Sequence, residues 1–338
     1  MKYVEVGWRH GVTISVESTI ISLDPQNVNP TSDAVLVSHA HNDHVRGLES
    51  RHLKVTTKET MKLYEAKVDR KPKDIKTLPY EGRMKIGEIE IIPYNAGHIL
   101  GSSQFQIRTP QCNIMYTGDI NCLNTLTTEA AHTTDCDILI MESTYGDPFY
   151  RFPEREETYN SIVRWALRQV RENRIPIFQL YSTGKAQEII SLFNNFTNLP
   201  VVVDSIISKT SQVYTDFGQH LSFLKDNESE GRDLIRKGGC IYLASKTRKS
   251  NQIEKNYEKA IVTGWALRFR YPNNAFPLSS HADYTQLIDY VRMTRPSKVY
   301  TCFGFNDVLA KRIEKECKIS AKPLPLFDKM TLRKVLSS

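Results

Sequence analysis

The stretch Ala34-Val35-Leu36-Val37-Ser38-His39-Ala40-His41-Asn42-Asp43-His44 decides how this chain is read. An apolar run of strand character opens into a loop, and His39, His41, Asp43 and His44 crowd its first turn. Imidazole nitrogens and carboxylate oxygens are the donors that borderline cations such as zinc accept. No turn needs these side chains, and clustered deprotonated donors gain from a cation. The pattern H-x-H-x-D-H therefore reads as the nucleus of a centre for two metal ions. One would take His39 and His41, leaving Asp43 and His44 for its neighbour.

Each ion then lacks ligands that other loops must supply. Asn95-Ala96-Gly97-His98 follows the strand-like Glu90-Ile91-Ile92, and Tyr116-Thr117-Gly118-Asp119 follows Asn113-Ile114-Met115. Both put a ligand type just past a β-rich run, at a glycine bend where backbone can approach closely. Asp24 closes another strand, Thr19-Ile20-Ile21-Ser22-Leu23. Its expected task is to accept a hydrogen bond from a ligand histidine or its loop, fixing tautomer and orientation.

Taken in order, Asp24, His39-x-His41-x-Asp43-His44, His98 and Asp119 resemble the first four motifs of the metallo-β-lactamase superfamily. The resemblance implies an α/β protein built as an αββα sandwich with a dinuclear zinc site at one edge of two packed sheets. It also implies that His39, His41 and His98 hold one ion, that Asp43 and His44 hold the other, and that Asp119 bridges them. Such a pair holds a hydroxide and hydrolyses an electrophile.

The second half of the chain narrows the substrate. Strand Cys136-Asp137-Ile138-Leu139-Ile140-Met141 ends in Glu142-Ser143-Thr144-Tyr145-Gly146, and far downstream stands Ser279-Ser280-His281-Ala282-Asp283-Tyr284. These resemble the acidic and histidine motifs of the β-CASP nucleases, and Ala96-Gly97-His98-Ile99-Leu100-Gly101-Ser102 is similar to that branch's third motif. Thr263-Gly264-Trp265-Ala266 further resembles the compact archaeal and bacterial members, exonucleases or RNA 3′-end processing proteins. Phosphodiester hydrolysis needs a nucleophile, charge neutralisation and a proton for the leaving oxygen. Metal-bound hydroxide and the ions supply the first two. His281, held by Glu142, would supply the third as general acid, since a paired carboxylate keeps an imidazole protonated. Asp43, Glu142 and His281 are thus the catalytic candidates. The plainer reading of His281 is a cap or surface residue of the helix starting near Asp283.

One position departs from the pattern. Many β-CASP enzymes carry a late histidine after a strand, completing the second metal's shell. Here Lys298-Val299-Tyr300-Thr301 leads to Cys302-Phe303-Gly304, and Phe303 stands where the histidine would be. Phenylalanine cannot bind zinc, and the Cys302 side chain should point to the opposite side of a strand. The second ion is expected to be weakly held, labile or exchanged for manganese. DNA-directed members also lack this histidine, which tilts the substrate towards DNA, though no residue excludes RNA.

Composition agrees. The 338 residues exceed one typical domain, and 40% hydrophobic content suffices for cores. No run approaches the ~20 apolar residues of a membrane helix, and the N-terminus lacks the apolar core of a signal peptide. Six cysteines without a C-x-x-C pair suggest reduced thiols, and with the compact family character a cytoplasmic protein. The net charge of +7 is uneven: residues 231–270 hold ten Lys or Arg against three Asp or Glu. Lys246, Arg248, Lys249, Arg268 and Arg270 are candidates for phosphate contacts with single-stranded nucleic acid, or else make a solvated basic face. Ser182-Thr183-Gly184-Lys185, between a strand and a helix, is a modest anion site through Thr183 and Lys185, unless Thr183 merely caps.

Domain boundaries follow from texture. Residues 1–146 are β-rich and form the N-terminal part of the metallo-β-lactamase domain. Residues 147–270 alternate helix and strand as an inserted β-CASP domain, with a helix from Glu156 to Val170 and strands Ile175–Leu180, 200–204 and 240–244. Residues 271–338 return to the first domain. The function expected is a metal-dependent nuclease. A nucleic-acid-binding scaffold without activity, or a hydrolase of small esters or thioesters, are the alternatives. The intact H-x-H-x-D-H disfavours the scaffold, and the cassette disfavours the small-substrate hydrolase.

Overall fold

The computed structural model describes residues 4–28, 31–245 and 256–327. It divides into two compact units. The first comprises Met1–Asn124, Glu129–Phe149 and His281–Ser338, and the second Thr125–Thr128 and Tyr150–Ser280.

The first unit is an αββα sandwich. One sheet runs in the order Val4–Trp8, Val12–Val16, Thr19–Leu23, Ala34–Leu36, Leu53–Thr56 and Ile75–Thr77. The other runs Ser320–Pro323, Lys298–Cys302, Ile138–Glu142, Asn113–Tyr116, Ser103–Arg108, Ile89–Asn95 and Met84–Ile86. Side chains alternate faces along a strand, so a buried strand needs apolar residues at every position. Leu36 enters the core between the sheets with Ile14, Ile21, Ile91, Phe105, Ile114 and Ile140. Its neighbours Val35 and Val37 face outward against Leu48 and Tyr64, the latter on helix Lys58–Val68. On the other sheet Met115, Leu139, Met141 and Val299 meet helices Tyr284–Thr294 and Asn306–Cys317 through Leu287, Val291, Leu309 and Ile313. Continuous apolar runs such as Ala34-Val35-Leu36-Val37 thus serve two cores at once.

Strands Thr19–Leu23, Ala34–Leu36, Leu53–Thr56 and Ile75–Thr77 are parallel, as are Asn113–Tyr116, Ile138–Glu142, Lys298–Cys302 and Ser320–Pro323. The short strand Ile75–Thr77 forms the edge of the first sheet. Within each parallel set the carboxyl ends point the same way, so loops after neighbouring strands emerge side by side.

The second unit is built on one all-parallel sheet, ordered Leu224–Lys225, Val201–Val203, Ile241–Ser245, Ile175–Leu180, Tyr257–Val262 and Asn274–Phe276. Helix Arg155–Arg171 buries Tyr159, Ile162, Trp165 and Ala166, one stripe of helical spacing, against the core formed with Phe178, Ile189 and Phe193. The boundary expected at residue 270 falls inside this unit. Strand Asn274–Phe276 pairs with Tyr257–Val262, and the chain rejoins the first unit only at His281. The strand is three residues long, too short for an alternation to mark it in the sequence. All six cysteines are free thiols, and no described helix is long and apolar enough to cross a membrane.

A buried ion pair braces the second unit. The guanidinium of Arg155 donates to Glu188 Oε1 from Nε at 2.8 Å and from Nη2 at 2.6 Å, and Tyr159 donates its hydroxyl to the same oxygen. Arg155 also reaches the Ser279 carbonyl at 3.1 Å. Removing one partner strands the other charge in the core, so Glu188→Ala should cost about 3–5 kcal/mol in urea unfolding. The double change Arg155→Met/Glu188→Leu should cost distinctly less, because neither charge is then left behind.

Candidate metal centre and catalytic histidine

The loop after Ala34–Leu36 is set by a carboxylate beneath it. Asp24, buried and left-handed at φ 46°, ends strand Thr19–Leu23. Its Oδ1 accepts from the Ser38 backbone N–H at 2.7 Å. Its Oδ2 accepts from Ser38 Oγ at 2.5 Å, from Tyr116 OH at 2.8 Å and from His44 Nδ1 at 2.8 Å. Burial would raise this carboxyl's pKa, but His44, His39 and the Ser38 hydroxyl hold it below the usual range. A carboxylate only accepts, so His44 carries its Nδ1 proton towards Asp24 and turns Nε2 the other way. Ser38 Oγ also lies 2.9 Å from His39 Nδ1.

Three loops then converge. His39 Nε2 and His41 Nδ1 are 3.1 Å apart, and His98 Nε2 is 3.0 Å from the same His41 nitrogen. Asp119 Oδ2 lies 3.4 Å from His39 Nε2 and 3.6 Å from His98 Nε2. A zinc ion with bonds of about 2.05 Å spaces tetrahedral donors about 3.3 Å apart. These four atoms therefore fit one such ion by their separations alone, and they form a mutually close His/Asp group. Burial and the neighbouring His281 depress His98, keeping it the neutral imidazole a metal requires. Burial works against ionised Asp119, yet His44, His281 and His39 hold its carboxyl well below the ordinary range.

The same Asp119 oxygen lies 3.6 Å from His44 Nε2, which is 3.7 Å from Asp43 Oδ2. A second donor set thus shares a corner with the first, but it is thinner. The Asp43 side chain is 76% exposed. The Phe303 ring centroid sits 5.7 Å from that of His44 and packs edge-on against Trp8 at 5.5 Å. Phe303 holds φ 60°, and its carbonyl accepts from the Ser143 hydroxyl. Cys302 is turned away into the core between the sheets, its Sγ 3.4 Å from the Met141 carbonyl. Burial, with Glu142 and Asp119 nearby, pushes that thiol well above its ordinary pKa.

Glu142 ends strand Ile138–Glu142 with its carboxylate fully buried. Oε1 accepts from the Ile120 N–H at 2.7 Å, and both oxygens lie 3.0 Å from His281 Nδ1. His281 Nε2 is 3.9 Å from Asp119 Oδ2. The histidine is held from behind by the Ala282 N–H bonded to the Ile120 carbonyl at 2.7 Å. It does not cap the helix that follows. Asp283 does so, accepting from the Gln286 N–H at 2.9 Å.

All these side chains lie in the first unit. Thr183, Lys185, Arg268 and Arg270 belong to the second unit, and Lys246, Arg248 and Lys249 lie outside the described residues. Thr183 is buried and is not the cap of helix Lys185–Phe196, whose N-cap is Gly184. Sequence reasoning passed over Ser38 and Tyr116. A tyrosine in a strand bound for the core must find a hydroxyl partner, and that requirement was the available signal.

No family model matches the chain. Among curated proteins it is similar to a probable DNA ligase of Opitutus terrae, with 29% identity over 82% of this chain and 27% of the ligase. It is also similar to an RNase J-like protein of Methanocaldococcus jannaschii, with 26% identity over 80% of this chain and 81% of that protein. The chain thus spans about a quarter of the first relative and four-fifths of the second. A solved structure of an Enterococcus faecalis protein of unknown function shares the fold at TM-score 0.66, with 16% identity over 96% of this chain and 98% of that one.

Asp24 tests the construction. Asp24→Asn places an amide among four donors and should lower zinc affinity roughly 10- to 100-fold, measured against a competing chromophoric chelator.

Proposed function

This chain belongs to the β-CASP branch of the metallo-β-lactamase superfamily, and from that premise we propose that it is a metal-dependent nuclease acting on single-stranded DNA. One observation carries the reading. The oxygen of Asp119 that faces the ligand histidines also faces Nε2 of His281, whose other nitrogen is tied to Glu142. Metal ions held by His39, His41, His98, Asp119, His44 and Asp43 would supply an activated water and neutralise phosphate charge.

The protein's own part is proton delivery and positioning. Glu142 can only accept, so His281 donates from Nδ1 and aims Nε2 towards the metal centre, where it carries a second proton when the imidazole is cationic, the form a paired carboxylate favours. That proton can pass to the departing oxygen as the phosphodiester opens, leaving a neutral imidazole that water reprotonates. Glu142 is itself fixed by the Ile120 N–H, which leaves His281 little freedom to turn.

The donor sets support unequal occupancy. We assign zinc to the four-donor set of His39, His41, His98 and Asp119. The set of His44, Asp43 and the shared Asp119 oxygen has three donors with Phe303 alongside, and it would hold an ion, zinc or manganese, more weakly. The preference for DNA rests on Phe303 standing in the late-histidine position and on the relative named as a DNA ligase. The RNase J-like relative makes RNA the comparison substrate.

Purified protein should shorten 5′-labelled single-stranded DNA faster than matched RNA, and a chelator should abolish both. His281→Ala should retain zinc yet lose roughly 10²–10⁴-fold in kcat. Cleavage of neither nucleic acid by zinc-loaded protein would overturn the reading. Phe303→His, which suits a left-handed φ better than phenylalanine, should raise the metal retained after gel filtration from one ion per chain towards two. Mass spectrometry for metals reads that outcome without an activity assay.

A further inference from the structure

We propose that the carboxyl edge of the second unit's parallel sheet is a base-stacking platform for single-stranded nucleic acid, formed by Tyr181 and Phe269. The proposal rests on the nuclease reading for the nature of the ligand. It adds the mode of binding and the residues that do it. Strands Ile175–Leu180 and Tyr257–Val262 are parallel neighbours, with Gln179 opposite Ile261. The loops that follow them therefore leave the sheet side by side at its carboxyl edge, where ligands of open parallel sheets bind.

Each loop presents one large aromatic to solvent next to cations. Tyr181 is 50% exposed, and the Lys185 ammonium lies 5.4 Å from its ring centroid. Lys185 is the first residue of helix Lys185–Phe196 and is itself buried. Phe269 is 53% exposed, between the exposed Arg268 and Arg270. Its ring is backed by Trp265 at 6.1 Å, and Trp265 is braced edge-on by buried Tyr150 at 5.3 Å. The turn is fixed by the Arg268 and Phe269 N–H groups donating to the Trp265 carbonyl at 3.1 and 3.0 Å. Rigid, half-exposed rings beside cations suit nucleobases, because stacking contributes on every base while the cations meet phosphates. A scattered exposed aromatic needs no explanation. Two on adjacent loops of one sheet edge do, and Phe269 lies in the most basic part of the chain.

The test is binding of two fluorescent oligomers to zinc-loaded protein carrying His281→Ala to block cleavage: an oligothymidine of ~12 nucleotides and an abasic strand of equal length. Tyr181→Ala and Phe269→Ala should each weaken oligothymidine binding roughly 5- to 100-fold and leave the abasic strand unchanged. Tyr181→Phe and Phe269→Tyr should bind as the parent does. Arg268→Ala/Arg270→Ala should weaken both strands and flatten the salt dependence. Equal losses on both strands, no loss on either, or a parent that does not prefer the strand with bases would overturn the platform. Hydrolysis of bis(p-nitrophenyl) phosphate, too small to need a platform, by the unaltered protein keeps the two readings separable. If hydrolysis persists without a base preference, only the platform falls. A base preference without hydrolysis sinks the nuclease reading and leaves the platform standing.

Discussion

The centre depends on a buried carboxylate that must be satisfied. Desolvating Asp24 is costly, and four donors offset it: the backbone and hydroxyl of Ser38, the Tyr116 phenol and His44 Nδ1. Those donors come from Tyr116 on the sheet opposite the one that Asp24 follows and from the loop bearing His39, His41 and His44. Meeting the needs of one side chain therefore fixes the entry to the His-rich loop, the register of Tyr116 and the orientation of His44. The left-handed backbone of Asp24 is part of that arrangement, since φ 46° is a conformation that Asp tolerates better than most residues.

Above it, two other carboxylates divide the work. Asp119 presents Oδ2 to imidazoles of His39, His98, His44 and His281, so it sits where positive charge concentrates and stays ionised. Glu142 is engaged by the Ile120 N–H and His281 Nδ1, which makes it a tether. The chemistry of each follows from its partners. A carboxylate among convergent nitrogens can serve a cation, whereas one enclosed by protein donors holds something else in place.

Both units use the carboxyl ends of parallel strands. In the first unit Asp24, the His-rich loop, Asp119, Glu142 and Phe303 each end or follow such a strand. In the second, Tyr181 and the turn bearing Phe269 do the same. Loops there are free of strand pairing and lie beside their neighbours, so residues far apart in sequence meet without distorting the sheets.

The ligand types were legible in the sequence because metal binding demands particular atoms, and H-x-H-x-D-H followed by His98 and Asp119 has few other uses. The sandwich came from the same motif resemblance, and the apolar runs by themselves marked only buried strands. Glu142 and His281, 139 residues apart, came from motif resemblance, since no local pattern links them. Tertiary structure alone decided that Asp283, not His281, caps the helix, because a cap is chosen by backbone geometry that Asp and His both permit. It alone brought Ser38 and Tyr116 to Asp24, and it moved the end of the insert to Ser280 by pairing a three-residue strand. It also set the Phe303 ring beside that of His44. Residue type fixes which atoms can bind a cation; which of them meet depends on strand register and loop closure, which only the packed fold supplies.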